Sequence, residues 1–356
     1  MGAMPGRTRP MSDHRRHVLL AYGGRSAEHA ISIRSARTVL EGLVGAGHRV
    51  SLLAVAPDGT LRTGPTSADL ATVVDEGRPV TRLDAFDVDV VFPVLHGPFG
   101  EDGTIQGMCA FLGVPCVGAS VLASAVCMDK VAFKALLAGA CPEVAVAPWV
   151  AVDAGDLDEG RTRVLEALDL PVFVKPANMG SSIGISRVDD PAWLGPALEA
   201  AAAYDRRILV ERAVHRPREI EIAVLGNGGP DTVVSAPGEI VLPPDTWYDY
   251  DTKYVDDVAE YRIPTTLDPE LSARLRAAAL AAYRATGCTG MARVDFLVDG
   301  RTGVPYLNEI NTIPGFTSIS MYPKLMAHAG ITLEELVDRL CTLAVEAGRM
   351  RPAPVR

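Results

Sequence analysis

The first hundred residues alternate buried-strand and amphipathic-helix patterns, and this order restricts the opening fold more than any other feature. HVLLAYGG (17–24) reads as a buried strand ending in a glycine turn. Ala36, Val39, Leu40, Leu43 and Val44 then recur at helical spacing, and Gly45 and Gly47 stop the helix. HRVSLLAV and VDVVFPVLHG read as two further strands. Strand, helix and strand in succession predict an α/β unit with a doubly wound parallel sheet. Ligands of such a sheet bind beyond the carboxyl ends of its strands, where GGRSAEHAIS and HGPFGEDG fall.

The rest of the chain divides into two more units. A helix over 131–138 opens the second, with strands near PVFVKP and RRILVERAV. A glycine-rich loop and an alanine-rich helix over 193–204 separate those strands. The third unit opens with EIEIAVLG and carries a long loop near 243–262. Its next helix has Asp268 as N-cap, Pro269 at the first helical position and Gly287 beyond its end. The last helix opens with a capping box, Thr332 and Glu335. We therefore expect domains over 17–118, 119–214 and 215–356, within the range a 356-residue chain supports. The leader over 1–16 and the tail RMRPAPVR are expected to be disordered.

Charge and cysteine usage exclude several classes. The 44 acidic residues outnumber the 34 basic ones, and a net charge of −10 repels phosphate backbones, so no nucleic-acid partner is expected. Apolar stretches fall far short of the ~20 residues a membrane helix needs, so no membrane span is expected. The six cysteines form no CxxC pair, and the opening residues lack the apolar core of a secretory signal. A reduced, cytoplasmic location is the expectation. Lysine is scarce: only Lys130, Lys134, Lys175, Lys253 and Lys324 stand among the basic residues. In an arginine-rich chain, a retained lysine points to a place that needs a compact ammonium, and we single out Lys130, Lys175 and Lys253.

Two segments carry chemistry. KPANMGSSIG (175–184) follows a buried strand and supplies a lysine, two glycines and two serines within ten residues. Glycines let backbone N–H groups approach an anion, serines add donors, and the lysine adds charge. The chain has no Gly-Lys-Ser/Thr step, so this is not a Walker A loop. The bland alternative is a surface turn; the lysine at the strand end favours a phosphate site. The second segment, MARVDFLVDGRTGVPYLNEINTIPGF (291–316), reads as a hairpin around the Asp299–Gly303 turn. Period two places Arg293 with Asp295 on one face, and Glu309 with Asn311 on one face of the return strand. Should the two faces coincide, carboxylates and an amide would suit a hard cation such as Mg2+, which also takes substrate phosphates. The bland alternative, an Arg–Asp ion pair on a half-exposed strand, leaves Glu309 and Asn311 unexplained. Together the segments imply a nucleoside-triphosphate enzyme built without a P-loop.

GGRSAEHAIS, VLHGPFGEDGTIQG, MDK, VKPANMGSSIGISRV, YDYDTKY, ARVDF and NEINTIPGFTSISMYP occur in this order. In this the chain resembles the D-alanyl-D-alanine ligases of the ATP-grasp superfamily, from about residue 17 to 348. The resemblance implies a three-domain ATP-grasp fold, with ATP held between the second and third domains. It implies a ligase that phosphorylates the carboxylate of one D-alanine with ATP. The amine of a second D-alanine then attacks, which yields a dipeptide for peptidoglycan, along with ADP and phosphate. It also implies two Mg2+ ions, with Mn2+ as a substitute, and a homodimer.

Residue by residue, the resemblance makes Lys130 and Lys175 phosphate contacts, and Ser181 and Ser182 part of the covering loop. It gives Glu211 to the adenine side and Glu219 to the ribose side, although the interval between them is one residue longer than the family pattern. Asp295, Glu309 and Asn311 become the magnesium ligands, with Glu309 bridging two ions. Arg293 and the backbone of Gly315 hold the tetrahedral intermediate. Glu28 binds the ammonium of the first D-alanine, His96 lies near its carboxylate, and Ser320 contacts the second substrate. Lys253 and Tyr254 form the mobile-loop pair of dipeptide-forming members, and Ser181, Tyr254 and Glu28 bridge to close that loop. Two alternatives remain at this point. One is the same chemistry with another acceptor, such as D-serine, D-lactate or a specialised amino acid; the Lys-Tyr pair disfavours D-lactate. The other is a non-catalytic nucleotide-binding regulator, disfavoured because the expected metal ligands and both lysines are present.

Overall fold

The computed structural model describes residues 15–81, 86–241 and 260–349. Lys253, Tyr254, most of the expected leader and the tail lie outside the described residues. The expected leader over 1–16 includes Arg16, which is among the described residues and whose Nη1 sits 3.4 Å from Asp338.

The first unit runs β1 (His17–Gly23), α1 (His29–Gly45), β2 (Arg49–Val55), β3 (Leu61–Thr63), α2 (Leu70–Glu76), β4 (Arg78–Pro79), β5 (Val90–Pro93) and α3 (Thr104–Leu112). Its strand order is β4-β3-β2-β1-β5. β1 pairs parallel with both β2 and β5, as predicted. The far edge departs from a wholly parallel sheet: β3 pairs antiparallel with β2, and β4 with β3. The cause is a hairpin turn at Asp58-Gly59, where Gly59 takes φ +90°. A short turn returns the chain beside itself, and only antiparallel strands can be joined that way.

The first unit and the end of the chain pack together. The chain's last described helix shares one core with the first sheet. Leu336, Val337 and Leu340 join Val18, Leu20, Leu52 and Phe92 there. A Cβ on Gly42 of α1 would lie 2.9 Å from Leu333, so the close approach of the two helices needs glycine at that place. The other face of the sheet is filled by Leu19, Ala21 and Leu53 against Ile105 and Cys109 of α3.

The central unit comprises α4 (Val121–Met128), α5 (Lys130–Ala140), β6 (Trp149–Asp153), α6 (Leu157–Ala167), β7 (Val172–Pro176), β8 (Ser186–Val188), α7 (Leu194–Ala202) and β9 (Arg207–Arg212). Its antiparallel sheet has the order β6-β9-β7-β8. Val164, Leu194 and Leu198 of α6 and α7 cover one face through Val174, Ile208 and Val210. α5 meets the other face through Val131 and Leu209.

The third unit comprises β10 (Arg218–Leu225), β11 (Val233–Val234), β12 (Gly238–Val241), β13 (Glu260–Arg262), α8 (Pro269–Ala285), β14 (Met291–Val298), β15 (Pro305–Asn311), α9 (Met321–His328) and α10 (Leu333–Arg349). The order is β13-β12-β10-β14-β15, with β11 on β10. Asp268 accepts from the backbone N–H of Glu270 and Leu271 and so starts α8; such a cap contributes about 1 kcal/mol. Thr332 and Glu335 form the reciprocal capping box of α10. Leu275, Ala279 and Tyr283 of α8 pack on Ile220, Ile222, Val294 and Phe296. That packing turns the alternate residues of β10 and β14 away from the helix.

β15 contains an irregularity that strict alternation would miss. Asp295 pairs with Glu309, but Phe296 pairs with Leu307, so Asn308 is bulged. The extra residue lets Leu307 and Ile310 both enter the core while Glu309 and Asn311 stay on the opposite face.

Candidate active site

A cleft with about 1050 Å³ of open space lies where the three units meet. Glu28, His96 and Glu101 enter it from the first unit, Lys130 and Ser181 from the central unit, and Arg293, Glu309 and Asn311 from the third. Gly315 and Ser320 also line it. The cleft opens beside the carboxyl ends of β1 and β5, where a doubly wound sheet binds ligands.

Glu28 precedes α1, and glycines make room for its carboxylate. A Cβ on Gly97 would lie 2.7 Å from Glu28 Oε2, and one on Gly180 would lie 3.0 Å from it. Ser181 Oγ donates to Glu28 Oε1 at 2.5 Å and ties the glycine-rich loop to the first unit. Ser181 and Ser182 take φ +48° and +60°, which is strained for residues with a Cβ. Two successive left-handed serines keep the loop folded over the cleft.

His96 occupies the cleft wall, but both ring nitrogens are engaged. Nδ1 donates to the Ile313 carbonyl at 3.1 Å, and Nε2 accepts from Ser35 Oγ at 3.1 Å. Burial lowers its pKa and keeps the ring neutral. Ser35 Oγ also accepts from the Phe316 N–H, and Glu101 accepts from Ile313 N–H and Gly97 N–H. These bonds fasten the 312–316 loop, which bears Gly315, to the first unit. Burial raises the Glu101 carboxyl to about 8, and the nearby Glu28 charge adds to the shift. A Cβ on Gly315 would lie 2.7 Å from Ser320 Oγ, so Ser320 packs there only against glycine.

α5 delivers two lysines from one helical face, four residues apart. Asp129 caps the helix through Val131 N–H and Ala132 N–H, and Arg207 Nη1 holds it at 2.5 Å. Lys130 Nζ donates to the Met179 carbonyl at 2.6 Å, at the phosphate-type loop. Lys134, 1% exposed, lies 2.9 Å from Glu211 Oε2, and Lys175 pairs with Glu211 Oε1. Burial pushes the Glu211 carboxyl up, but Lys134 and Lys175 outweigh it and hold the pKa down to about 2. One carboxylate between two ammonium groups leaves one net positive charge to face an anion.

The β14–β15 hairpin brings its predicted residues together. Arg293 stands opposite Asn311, and Asp295 opposite Glu309, so all four share one face. Arg293 grips Asp295 in a fork, with Nε and Nη2 at 2.8 and 2.7 Å from the two oxygens. Burial works against the Arg293 charge, but Asp295 and Glu221 overcome it and raise the pKa further. Asn311 Nδ2 donates to Asp295 at 2.9 Å. The oxygen donors of Asp295, Glu309 and Asn311 fit a hard cation in kind. Among the described residues no trio of His, Cys, Asp or Glu is arranged as a ready metal cage, and both Asp295 oxygens are bonded to Arg293.

Lys175, Ser182, Glu211, Glu219 and Asp295 are not among the residues that line the cleft. Glu219 stands on β10 across from Ile240 and Leu297, and Glu211 lies beneath the loop with its lysines. Sequence reasoning missed Glu101, Lys134 and Glu221. Glu101 stands within HGPFGEDG, Lys134 is one of the five lysines, and Glu221 follows Glu219 at the strand period.

An acid-lined sheet face opposite a lysine-bearing loop, with an α/β unit closing the third side, defines an ATP-grasp type of protein. The N-terminal family model of D-ala D-ala ligase matches residues 17–119, and the C-terminal model matches 140–342. The chain is 46% identical over 340 residues to the D-alanine–D-alanine ligase of Deinococcus radiodurans, which covers 93% of this chain and 99% of that one. It is 44% identical to that of Chlorobium phaeovibrioides, covering 92% of this chain and 97% of the relative. Among solved structures, the D-alanine-D-alanine ligase from Coxiella burnetii superposes with a TM-score of 0.83 at 33% identity, covering 94% and 95% of the two chains. The VanG D-Ala:D-Ser ligase from Enterococcus faecalis superposes with a TM-score of 0.82 at 31% identity, covering 93% and 100%. The chain belongs to the D-alanine–D-alanine ligase family.

Proposed function

We propose that this protein joins two D-alanines to D-alanyl-D-alanine at the expense of ATP, for peptidoglycan synthesis. The observation that carries the reading is the convergence of an ammonium-binding type of carboxylate, a lysine-bearing loop and an acid-and-arginine sheet face on one cleft. Glu28, buried and bonded to Ser181, receives the ammonium of the first D-alanine. The phosphate chain of ATP lies along Lys130, Lys175 and the Ser181–Ser182 loop. The carboxylate of the first D-alanine takes the γ-phosphoryl group and becomes an acylphosphate. The amine of the second D-alanine attacks its carbonyl carbon, the C–O bond to phosphate breaks, and phosphate leaves. Arg293 faces the charge that develops on the tetrahedral adduct. Asp295, Glu309 and Asn311 would hold Mg2+, which neutralises phosphate charge when bound. His96 acts by holding the 312–316 loop, since its nitrogens are already engaged.

Lys253 and Tyr254 complete the cover over the cleft in this reading and keep water from the acylphosphate. A cation beside the acceptor disfavours its ammonium form and so favours the amine nucleophile. A hydroxyl acceptor gains nothing from that field. Competition between equal D-alanine, D-serine and D-lactate across pH 6–9 tests the acceptor. Dipeptide of D-alanine should dominate at pH 7–8; a predominant depsipeptide or D-serine product would overturn the assignment.

The protein is proposed to work in the cytoplasm as a homodimer. No helix among the described residues is long and apolar enough to cross a membrane. Phe111 and Leu122, 92% and 72% exposed on the neighbouring helices α3 and α4, offer a second copy an apolar patch. Sedimentation of the wild type and of Phe111→Glu tests this; a monomeric wild type would contradict it.

A further inference from the structure

The ligand-facing side of the large sheet holds one more carboxylate, Glu221, to which the mechanism above gives no part. It stands on β10 directly across from Asp295, and Ala223, two places on, stands across from Arg293. Antiparallel partners share a face, so Glu221 projects beside the arginine and the candidate cation ligands. The small Ala223 opposite Arg293 leaves room for the guanidinium to lie along the strands. There Arg293 Nε sits 3.1 Å from Glu221 Oε2. Glu221 is only 5% exposed, and a carboxylate that dry is costly unless it is paired.

Asp295 has two calls on the same oxygens. Both are now bonded to Arg293. A carboxylate that turns to a divalent cation gives up that fork. Arg293 then relies on Glu221, the other carboxylate in ion-pair contact with it among the described residues. We propose that Glu221 is the positioning residue of Arg293, keeping the guanidinium aimed into the cleft when Asp295 is drawn to the cation. This rests on the reading of Arg293 as the group that meets the tetrahedral adduct. Glu221 itself touches no reacting atom.

The test uses the full chain with Glu221→Gln, which keeps the shape and removes the charge, alone and combined with Arg293→Gln. Glu221→Gln should lower kcat about 10- to 100-fold, the scale of a misplaced catalytic group, with KM for ATP changed less than about threefold. On the Arg293→Gln background it should cost nothing further, because the pair acts as one unit. Ligand-free thermal stability should change little, since Asp295 still holds Arg293. A second readout does not depend on turnover: the Arg293 Nε–H resonance, assigned by its loss in Arg293→Gln. With Mg2+ and ADP it should stay sharp in the wild type and broaden in Glu221→Gln. An unchanged resonance overturns the proposal, as does an additive loss on the Arg293→Gln background. So does a large fall in stability with kcat and KM affected alike, which would mark a purely structural role. Failure of the wild type to make dipeptide would instead refute the proposed function, and the resonance would still decide the role of Glu221.

Discussion

Replacing Lys134 by Met tests the charge cluster beneath the phosphate-type loop. Methionine keeps most of the side chain's length and apolar stem, so the change removes chiefly the ammonium. That ammonium lies 2.9 Å from Glu211, and at an effective dielectric constant of about 20 the gross attraction is about 6 kcal/mol. Desolvation of both groups offsets much of it. Breaking a buried pair from one side nevertheless costs about 3–5 kcal/mol, because the other charge stays buried. Here Lys175 remains beside Glu211, so we expect the lower end, about 3 kcal/mol. For a chain of 356 residues that lowers Tm by about 4 °C. The pH dependence gives a second reading. The Glu211 pKa is depressed to about 2 from an ordinary 4.5. Its contribution is therefore complete above pH 4.5 and is lost as pH falls toward 2. Without Lys134 the folded pKa rises toward 4.5, so the part of the stability that Glu211 loses in acid becomes smaller. Scanning calorimetry from pH 3 to 8 measures both effects. A Tm change below about 1 °C at pH 7, with an unaltered acid limb, would refute the account of the cluster.

Glu309→Gln should abolish turnover while circular dichroism and Tm stay near wild type, since the side chain lines the cleft rather than the core; near-normal activity at saturating Mg2+ would contradict its role. Lys175→Met should weaken ATP binding more than D-alanine binding in calorimetry, and equal losses would count against its placement at the phosphates. Glu101 has a folded pKa raised from 4.5 to about 8, so the protonated form favours the fold. Stability should therefore fall as pH rises between these values, by up to ~1.4 kcal/mol per pH unit. Urea titrations at pH 5–8 should show this slope in the wild type and a flatter one in Glu101→Gln.

The features written locally in the sequence were legible. Asp268-Pro269 announces a helix start by capping chemistry that spans only a few residues. The shared face of Arg293, Asp295, Glu309 and Asn311 follows from period two and a tight turn. What depends on distant strands was not legible. Lys134 sits in an apolar helix and finds Glu211 only because α5 crosses β9. Glu221 looks like an ordinary strand residue until β10 is laid beside β14. The single parallel-sheet expectation failed at β3 because Asp58-Gly59 makes a hairpin turn inside a run that reads as a crossover unit. The bulge at Asn308 likewise has no local signature, and it is what turns Leu307 and Ile310 into the core together.

The central claim is that one cleft couples ATP to the joining of two D-alanines. The most direct measurement is mass analysis of the products formed from D-alanine, ATP and Mg2+, with ADP and phosphate quantified alongside. The account predicts D-alanyl-D-alanine, with ADP and phosphate each formed in equal amount to the dipeptide and none formed when D-alanine is omitted. ATP consumed without dipeptide, or consumed equally in the absence of D-alanine, would contradict it.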